Sequence, residues 1–392
     1  MSRLAYKFRI YPTKAQTRSL ELTLDTCRNV YNSFVHERTV LYEITGKSPT
    51  YLVQKRAIAA WKPNHPELLD VHSQVLQNVC KRADLAFRSF FRRLKLGEEP
   101  GYPRLKGKDG YDSITYPQYG NGCEIRHGNL WLSKIGEVKI NLHRSIQGDI
   151  KTCSVRRIGE KWFVCFSVVA LQQILDPCSD EIGIDVGLKV FARLDNDDWI
   201  DNPRFFRKDE AALAKAQRRF ETVKNKHRSK ARRCAKKVVA RIHERIRNRR
   251  HNFVHQEARK LVNRYGVIYV ENLAVGNMIA TPKPKSDPDK PGEFLPNGAA
   301  AKAGLNKSIA DASWSMFRSV LAMKAENAGR LVVAVNPAYT SQTCSGCGNI
   351  VKKTLIERTH RCSDCGLVLD RDTNAAINIK ALGQQSIAAT TA

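Results

Sequence analysis

The sequence predicts a multidomain protein in which helices and a small β-rich domain precede an α/β domain. Three observations predict this arrangement. The length of 392 residues is enough for two or three domains. Residues 97–180 are rich in glycine and proline and contain short β-prone runs. From Glu181 onward, apolar strand-like runs alternate with helical segments, as in an α/β fold.

The first 96 residues predict one strand and two long helices. Leu4 to Tyr11 alternates as a strand does, and Pro12 ends it. Apolar residues then recur at helical steps within 14–43 and within 73–96. They are Leu20, Leu24, Cys27, Tyr31 and Phe34, and then Leu76, Val79, Ala83, Phe87, Phe90 and Leu94. We expect the N-terminal strand to join the β-rich residues in a barrel, with the two helices as an insertion.

The second half predicts strands at 182–186, 190–194, 267–270 and 331–335, with a long helix over about 208–262. Residues 207–250 contain 18 Lys and Arg against 4 Asp and Glu, which favours contact with nucleic acid. Five prolines predict a loop over 281–296, and a helix is expected over 312–328. The small polar residues after Leu382 predict a frayed tail.

The charge restricts the class of partner. The chain contains 66 Lys and Arg against 38 Asp and Glu, giving a net charge of +28 and a pI near 9.8. Such an excess favours polyanions, because binding them releases condensed counterions. A membrane surface is the less favoured polyanion, because no apolar run reaches the length of about 18 residues that spans a bilayer. The N-terminus lacks the apolar core of a signal peptide, so we expect an intracellular protein.

Two acids end apolar runs. Asp185 lies in Ile182-Gly183-Ile184-Asp185-Val186-Gly187, and Glu271 follows Val267-Ile268-Tyr269-Val270. A carboxylate in a buried strand is costly unless it is paired or bound to a metal. Acids at strand ends can share divalent cations, and Mg²⁺ prefers such oxygen ligands. A structural or surface role is the alternative for either acid taken singly.

Asp370 and Asp372 precede a predicted helix that begins near Asn374. Either acid could cap this helix, since an aspartate accepts hydrogen bonds from the free backbone N–H groups at a helix start. The residue pattern leaves the choice between capping and metal binding open for both.

Four of the eleven cysteines are closely spaced, as Cys344-x2-Cys347 and Cys362-x2-Cys365 with fourteen residues between the pairs. This spacing predicts a zinc ribbon, with disulfides as the alternative. Four thiolates close the coordination of Zn²⁺, so the site is expected to be structural. His360 adjoins it but is not needed as a ligand. With the acids and the charge, this pattern predicts a metal-dependent nuclease.

Several motifs together resemble the TnpB family, the OrfB-type proteins of bacterial insertion sequences that are related to type V CRISPR effector nucleases. The resemblance covers nearly the whole chain. The motifs are Tyr6-Lys7-Phe8-Arg9-Ile10-Tyr11-Pro12, Gly183-Ile184-Asp185-Val186-Gly187, Val270-Glu271-Asn272-Leu273, Ser313-Trp314-Ser315-Met316-Phe317, Asn336-Pro337-Ala338-Tyr339-Thr340-Ser341-Gln342-Thr343-Cys344 and Asp372-Thr373-Asn374-Ala375-Ala376.

The resemblance implies a wedge-like β-barrel, a helical recognition insertion, and a RuvC nuclease domain of ribonuclease H-like fold with a zinc-ribbon insertion. The expected boundaries are 1–12 and 97–180 for the barrel, 13–96 for the insertion, 181–342 and 367–382 for the nuclease, 343–366 for the ribbon, and 383–392 for a tail.

The resemblance also implies an RNA-guided DNA endonuclease that cleaves beside a short duplex motif, with Asp185, Glu271 and Asp372 as its catalytic acids. These acids would hold two Mg²⁺, while Cys344, Cys347, Cys362 and Cys365 would hold one Zn²⁺. The expected partners are a guide RNA from the element end and a double-stranded DNA target, with no membrane. We expect a monomer in the prokaryotic cytoplasm, associated with the nucleoid.

Two other classes of function are possible for a chain with these motifs. A nuclease-inactive, RNA-guided repressor is disfavoured because all three acids are present. The other alternative is an unguided metal-dependent DNA-binding or transposition protein. A DNA-strand transposase is disfavoured because the sequence shows no tyrosine with paired histidines of the kind that single-strand transposases use. His251 and His255 lie four residues apart on a basic helix, but no acidic or nucleophilic motif adjoins them. We interpret them as surface or packing residues.

Overall fold

The computed structural model describes residues 2–223, 229–290, 292–354 and 356–391. Contacts within the chain divide it into two compact units, Met1–Leu171 and Gln172–Ala392. This division precedes the boundary expected at residue 180. One reason is that the Leu175 N–H donates to the Ala328 carbonyl oxygen (3.0 Å), which ties the connecting residues to the second unit.

The first unit is built on one antiparallel sheet of seven strands. They are β1 (Ser2–Tyr11), β2 (Ser113–Tyr116), β3 (Cys123–Arg126), β4 (Asn129–Leu132), β5 (Gly136–Asn141), β6 (Asp149–Ile158) and β7 (Lys161–Ala170). The hydrogen-bonded order is β2-β6-β7-β1-β5-β4-β3, which places the N-terminal strand inside the sheet. Because this order ends at β2 and β3, closure into a barrel stays a prediction.

Three helices accompany this sheet: α1 (Lys14–Thr45), α2 (Tyr51–Trp61) and α3 (Ser73–Lys95). The helical spacing predicted α1 and α3, and both are confirmed, with most of the expected apolar positions buried. Leu94 is an exception at 49% exposed, because the last turn of α3 extends beyond the core. Helix α2 was not predicted, because its residues show little helical periodicity and only Gln54 and Ile58 of this helix are buried.

The second unit contains a five-stranded sheet that combines parallel and antiparallel pairs. Its strands are β8 (Glu181–Val186), β9 (Ala192–Leu194), β10 (Trp199–Ile200), β11 (Val267–Glu271) and β14 (Leu331–Val335), and their order is β10-β9-β8-β11-β14. Strands β8, β11 and β14 are parallel, whereas β9 is antiparallel to both of its neighbours. The carboxyl ends of the three parallel strands therefore meet at one edge.

Helices and two short hairpins complete this unit. The helices are α4 (Phe205–Thr222), α5 (Lys230–Arg264), α6 (Val275–Met278), α7 (Ala299–Ala312), α8 (Trp314–Ala328) and α9 (Arg371–Thr391). The hairpins pair β12 (Lys285–Ser286) with β13 (Phe294–Leu295), and β15 (Thr359–Arg361) with β16 (Val368–Asp370). Among the helices that the structure describes, none combines the length and apolar character that a membrane crossing requires.

Three sequence expectations differ from this structure. The long helix over 208–262 is two helices, α4 and α5, and residues 224–228 between them lie outside the described residues. The expected loop over 281–296 contains the β12–β13 hairpin, and α7 follows it without having been predicted. The residues after Leu382 continue α9 to Thr391, because Gly383 packs against Tyr269 and Gln384 donates to Glu181 Oε2 (2.6 Å).

A buried aspartate joins three helices of the second unit. Helix α4 starts after Arg204 without a side-chain cap of its own. Asp311 of α7 supplies the cap instead, since both of its carboxylate oxygens accept from the Phe206 N–H at 2.9 Å. The same carboxylate pairs with Arg250 of α5 at 2.9 Å and is 3% exposed. Because a buried charge needs partners, this contact holds the helices together.

We expect Asp311→Ala to lower the free energy of unfolding by about 3 kcal/mol, because it leaves Arg250 unpaired and α4 uncapped. Urea unfolding of the full chain measures this difference. Asp201→Ala is the control, since Asp201 is exposed, and its unfolding midpoint should match the unaltered protein. Equal midpoints for both variants would contradict the role of Asp311.

Candidate metal-dependent active site

Asp185 and Glu271 lie next to each other at the carboxyl ends of two parallel strands. The register pairs Ile184 of β8 with Val270 of β11, and Asp185 and Glu271 are the next residues on each strand. Neighbouring strands lie about 4.8 Å apart. Since three consecutive residues are buried in each of β8 and β11, just before Asp185 and Glu271, the fold carries both acids to the end of an apolar layer.

Helix α9 brings Asp372 to the same edge of the sheet. A Cβ atom on Gly183 of β8 would lie 2.1 Å from the Ala376 carbonyl oxygen of α9. One on Gly383 of α9 would lie 2.0 Å from the ring of Tyr269 on β11. Only glycine permits such close approaches. The helix is thereby seated on both strands, with Asp372 in its first turn.

Asp370, and not Asp372, caps this helix. The Asp370 Oδ1 atom accepts hydrogen bonds from the backbone N–H groups of Asp372 (2.9 Å) and Thr373 (3.3 Å). This is the geometry of an N-cap. The side chain of Asp372 is therefore not used in capping, and a metal-binding role for it stays a prediction.

The three acids oppose one another electrostatically. Burial raises the pKa of Asp185 well above its usual value, and the Glu271 and Asp372 carboxylates raise it further, while Arg371 acts in the opposite direction. Burial also raises the pKa of Glu271, against a lowering effect of the hydrogen bond from Thr340. A bound cation would lower the free-energy cost of having all three carboxylates ionised at once, so this arrangement favours cation binding.

Two arginines pair with Asp372. Arg371 donates from Nε and Nη2 to Asp372 Oδ1, each at 3.0 Å, and Arg358 Nη1 lies 3.6 Å from Oδ2. Arg358 directly precedes β15 of the hairpin, and Arg371 is the first residue of α9. The guanidinium groups therefore offset the charge of Asp372 and fix its orientation.

Thr340 holds Glu271 from the loop after β14. Its hydroxyl lies 2.8 Å from Glu271 Oε1 and donates to it, while the second carboxylate oxygen stays available. The loop is itself held by α9, since Asn378 Nδ2 donates to the carbonyl oxygens of Thr340 (2.8 Å) and Thr343 (2.7 Å). One helix thus carries Asp372 and anchors the residue that orients Glu271.

The cysteine quartet is the tightest cluster of potential metal ligands in the described part of the chain. The sulfur atoms of Cys344, Cys347, Cys362 and Cys365 all lie within 4.8 Å of one another. Cys344 and Cys365 are 3.5 Å apart, and Cys347 and Cys362 are 3.6 Å apart. These distances exceed the disulfide bond length of about 2.05 Å. They suit four ligands around one tetrahedral Zn²⁺ at about 2.3 Å.

The electrostatics of Cys344 also suit a metal ligand. Although burial opposes ionisation, the backbone N–H groups of Cys347 and Gly346 lower the pKa of the Cys344 thiol to about 6. The thiolate is the form that binds zinc. His360 is buried nearby but is not part of the quartet.

The three carboxylates do not form such a tight group, since within the described residues the four cysteines are the one set of at least three potential ligands whose atoms all lie within 4.8 Å of one another. A wider spacing suits ligands that share two ions more than ligands around one.

Sequence reasoning did not identify the residues that hold the acids. Thr340, Arg358 and Arg371 contact Glu271 or Asp372 only after distant segments are brought together. Thr340 does lie in the Asn336–Cys344 motif, but the residue types in this motif do not indicate that Thr340 contacts Glu271.

Comparison with known proteins agrees with this organisation. Three family models match: "Cas12f1-like, TNB domain" over residues 314–379, "Probable transposase" over 175–281, and "Helix-turn-helix domain" over 1–47. The first match includes the cysteine quartet and Asp372, and the second includes Asp185 and Glu271. Residues 1–47 here form one strand, β1, and one helix, α1.

Curated relatives match over nearly the full length. A "Putative RNA-guided DNA endonuclease" of Streptomyces pristinaespiralis is 31% identical, covering 97% of this chain and 89% of the relative. The "Putative RNA-guided DNA endonuclease InsQ" of Escherichia coli K12 is 29% identical, covering 99% and 94%. A Cas12f1–sgRNA–target DNA complex has a similar fold, with a TM-score of 0.55, 15% identity, and coverage of 93% of this chain and 82% of the Cas12f1 chain. The protein belongs to the TnpB family of OrfB-type, transposon-encoded nucleases.

Proposed function

We propose that this chain is an RNA-guided DNA endonuclease of an insertion sequence. The observation that carries the proposal is the approach of Asp185, Glu271 and Asp372 at one edge of a sheet, where Glu271 and Asp372 raise the pKa of Asp185. The Streptomyces and Escherichia coli relatives, which are named as RNA-guided DNA endonucleases, support the same activity.

We infer a RuvC-type, ribonuclease H-like domain in the second unit. The order β10-β9-β8-β11-β14, with an antiparallel β9 and parallel β8, β11 and β14, supports this assignment. The hairpin β15–β16 and the cysteines would form the zinc ribbon within it. In the first unit, the seven-stranded sheet would be the wedge domain, and α1 to α3 the recognition insertion.

The acids would hold two Mg²⁺ ions, and the quartet one Zn²⁺. The acids fit Mg²⁺ because they offer hard oxygen ligands, and because burial raises the pKa values of Asp185 and Glu271, with Glu271 and Asp372 raising that of Asp185 further. Bound Mg²⁺ would activate water and stabilise charge on the leaving oxygen during phosphodiester hydrolysis. The quartet is closed to substrate and would be structural.

The surrounding residues would keep the acids in place for this chemistry. Thr340 occupies Glu271 Oε1 and leaves Oε2 for a ligand role. Arg371 bonds Asp372 Oδ1 twice and limits rotation of the carboxylate. Such support matters because small displacements of catalytic groups lower rates strongly.

Helices α4 and α5 would contribute to binding nucleic acid. Part of their charge is used internally, since Arg245 and Arg249 pair with Asp209. Other basic residues of these helices are exposed, namely Lys215, Arg218, Arg219, Arg233, Lys236, Lys237, Arg241 and Arg247. A dense basic surface suits the backbones of a guide RNA and its DNA target, while base pairing reads the sequence.

A nuclease-inactive repressor is the competing function. It would be favoured by loss of an acid or by an acid turned away from the others. The sequence retains all three acids, and their charges act on one another. We therefore favour cleavage over binding alone.

Asp372→Asn should reduce guided DNA cleavage at least about a thousandfold, because a metal ligand is lost. Asp185→Asn should have the same effect, and neither change should weaken RNA binding. Cleavage of a labelled target by the RNA-loaded protein measures the rate. The matched control is Asp370→Asn, which alters the helix cap two residues away and should keep cleavage near the unaltered rate. Comparable loss in Asp370→Asn and full activity in Asp372→Asn would reverse the assignment.

Asp185→Asn should stabilise the metal-free protein at pH 8. The folded state raises the pKa of Asp185, so the ionised carboxylate destabilises the fold above that pKa. As pH falls through the raised pKa towards the unfolded value of about 3.9, the unaltered protein recovers this stability. In urea unfolding with EDTA, the free energy of unfolding of Asp185→Asn should therefore exceed that of the unaltered protein at pH 8. This difference should become smaller by pH 5. The exposed Asp176→Asn variant should show none, and a less stable Asp185→Asn variant at pH 8 would refute the argument.

Purified protein should contain about one zinc per chain, from the closed four-thiolate site. Elemental analysis after removal of nucleic acid measures this ratio. Cys362→Ser should lose the zinc, whereas Cys234→Ser, which changes an exposed cysteine elsewhere, should retain it. Active protein without zinc would contradict the site.

A further inference from the structure

Tyr339 has a backbone conformation that residues with a Cβ atom rarely adopt. Its φ of 63° is left-handed, although the residue has a Cβ atom. Tyr339 begins a turn, in which its carbonyl oxygen accepts from the N–H groups of Gln342 and Thr343, both at 2.9 Å. Glycine or asparagine would adopt it more readily. The tyrosine is 62% exposed, so packing does not explain its presence.

Tyr339 directly precedes Thr340, the residue that bonds one of the proposed catalytic acids. Thr340, the following residue, donates to Glu271 Oε1 at 2.8 Å. The turn therefore presents an exposed aromatic ring beside the group that orients a metal ligand. Strained residues persist where the surrounding structure enforces them, and they are concentrated at functional sites.

Arg318 of α8 approaches the same acid by another route. Arg318 and Glu271 line one narrow cleft, together with Leu273 and Trp314. The Arg318 guanidinium donates to the Asn272 side-chain oxygen, and within the described residues it forms no ion pair with a carboxylate. Arg371 differs in being paired with Asp372. An anion is therefore the complementary partner for Arg318.

We propose that Tyr339 and Arg318 form a binding subsite for the single DNA strand that is to be cut. Tyr339 would stack on a base, and Arg318 would contact a backbone phosphate beside the scissile bond. This subsite rests on the proposed function, since it names how the same site holds its substrate.

The chemistry favours a single strand over a duplex. In a duplex both faces of an internal base are covered by stacked neighbours, so an aromatic ring has no face to contact. An unpaired base offers its face to any aromatic side chain, largely independent of sequence. Guide pairing displaces one strand of the target and supplies such bases. A ring and a guanidinium near one acid match the alternation of base and phosphate along that strand.

Opposite effects on stability and cleavage test the ring. Tyr339→Gly should raise the melting temperature by about 2 °C, because it relieves the left-handed residue. It should lower cleavage of guided DNA about tenfold by removing the stack. Tyr339→Trp should keep most of the activity. Unchanged cleavage in Tyr339→Gly would overturn the stacking role, and so would a fall in melting temperature together with cleavage, which indicates a structural residue.

The proposed contact of Arg318 with one phosphate is tested by combining Arg318→Gln with DNA that lacks a single phosphate charge. Methylphosphonate linkages, which lack the phosphate charge, are placed one at a time on either side of the cut. One such linkage should slow the unaltered protein about tenfold. Arg318→Gln should show the same loss on normal DNA and no further loss at that linkage. If every methylphosphonate linkage slowed Arg318→Gln by the same factor as it slows the unaltered protein, the proposed contact between Arg318 and one phosphate would be contradicted.

Two controls separate this proposal from the proposed function. Arg330→Gln changes a half-buried arginine just before β14, where its Nε donates to the Val262 carbonyl oxygen. It lies at the opposite end of the strand from the Thr340 loop and should leave cleavage unchanged. Guided binding of DNA should be equal in all variants. If the unaltered, RNA-loaded protein cleaves no DNA, both proposals fall; if it cleaves and the Tyr339 and Arg318 variants match it, the subsite alone falls.

Discussion

Repulsion among three carboxylates at one sheet edge is the constraint on which the rest of this site depends. Parallel strands β8 and β11 deliver Asp185 and Glu271 to adjacent positions, and α9 adds Asp372. Burial removes the water that would screen them, which raises the pKa of Asp185. The fold offsets this cost in part with Arg371 and Arg358. The remaining unfavourable charge would favour the binding of divalent cations that we propose.

Helix α9 connects the parts of the second unit that act on this charge. Gly183 and Gly383 let the helix lie directly on the strands that carry the other acids. Asn378 holds the loop of Thr340, and Asn374 accepts from the Ser345 N–H (3.0 Å), next to Cys344 of the proposed zinc site. The quartet and the acids are thus joined through one helix. Loss of zinc would act on Glu271 and Asp372 through these contacts.

The sequence predicted the acids and cysteines because their signals are local. An acid that ends an apolar run identified Asp185 and Glu271, and spacing identified the quartet, whose sulfur atoms do cluster. The choice between Asp370 and Asp372 was not local, because it depended on which residue begins α9. Thr340 and Arg318 could not be found from sequence, because Thr340 contacts Glu271, and Arg318 contacts Asn272, only after the chain folds. Helix α9 runs past Leu382 for the same reason: Tyr269 and Glu181 on distant strands stabilise its end.

The central claim is that these carboxylates share divalent cations. The direct measurement is calorimetric titration of Mn²⁺ into protein freed of nucleic acid, with zinc retained. The account predicts two ions per chain for the unaltered protein and for Asp370→Asn. It predicts loss of at least one ion, or about tenfold weaker binding, for Asp185→Asn. Equal binding by Asp185→Asn and the unaltered protein would contradict the account.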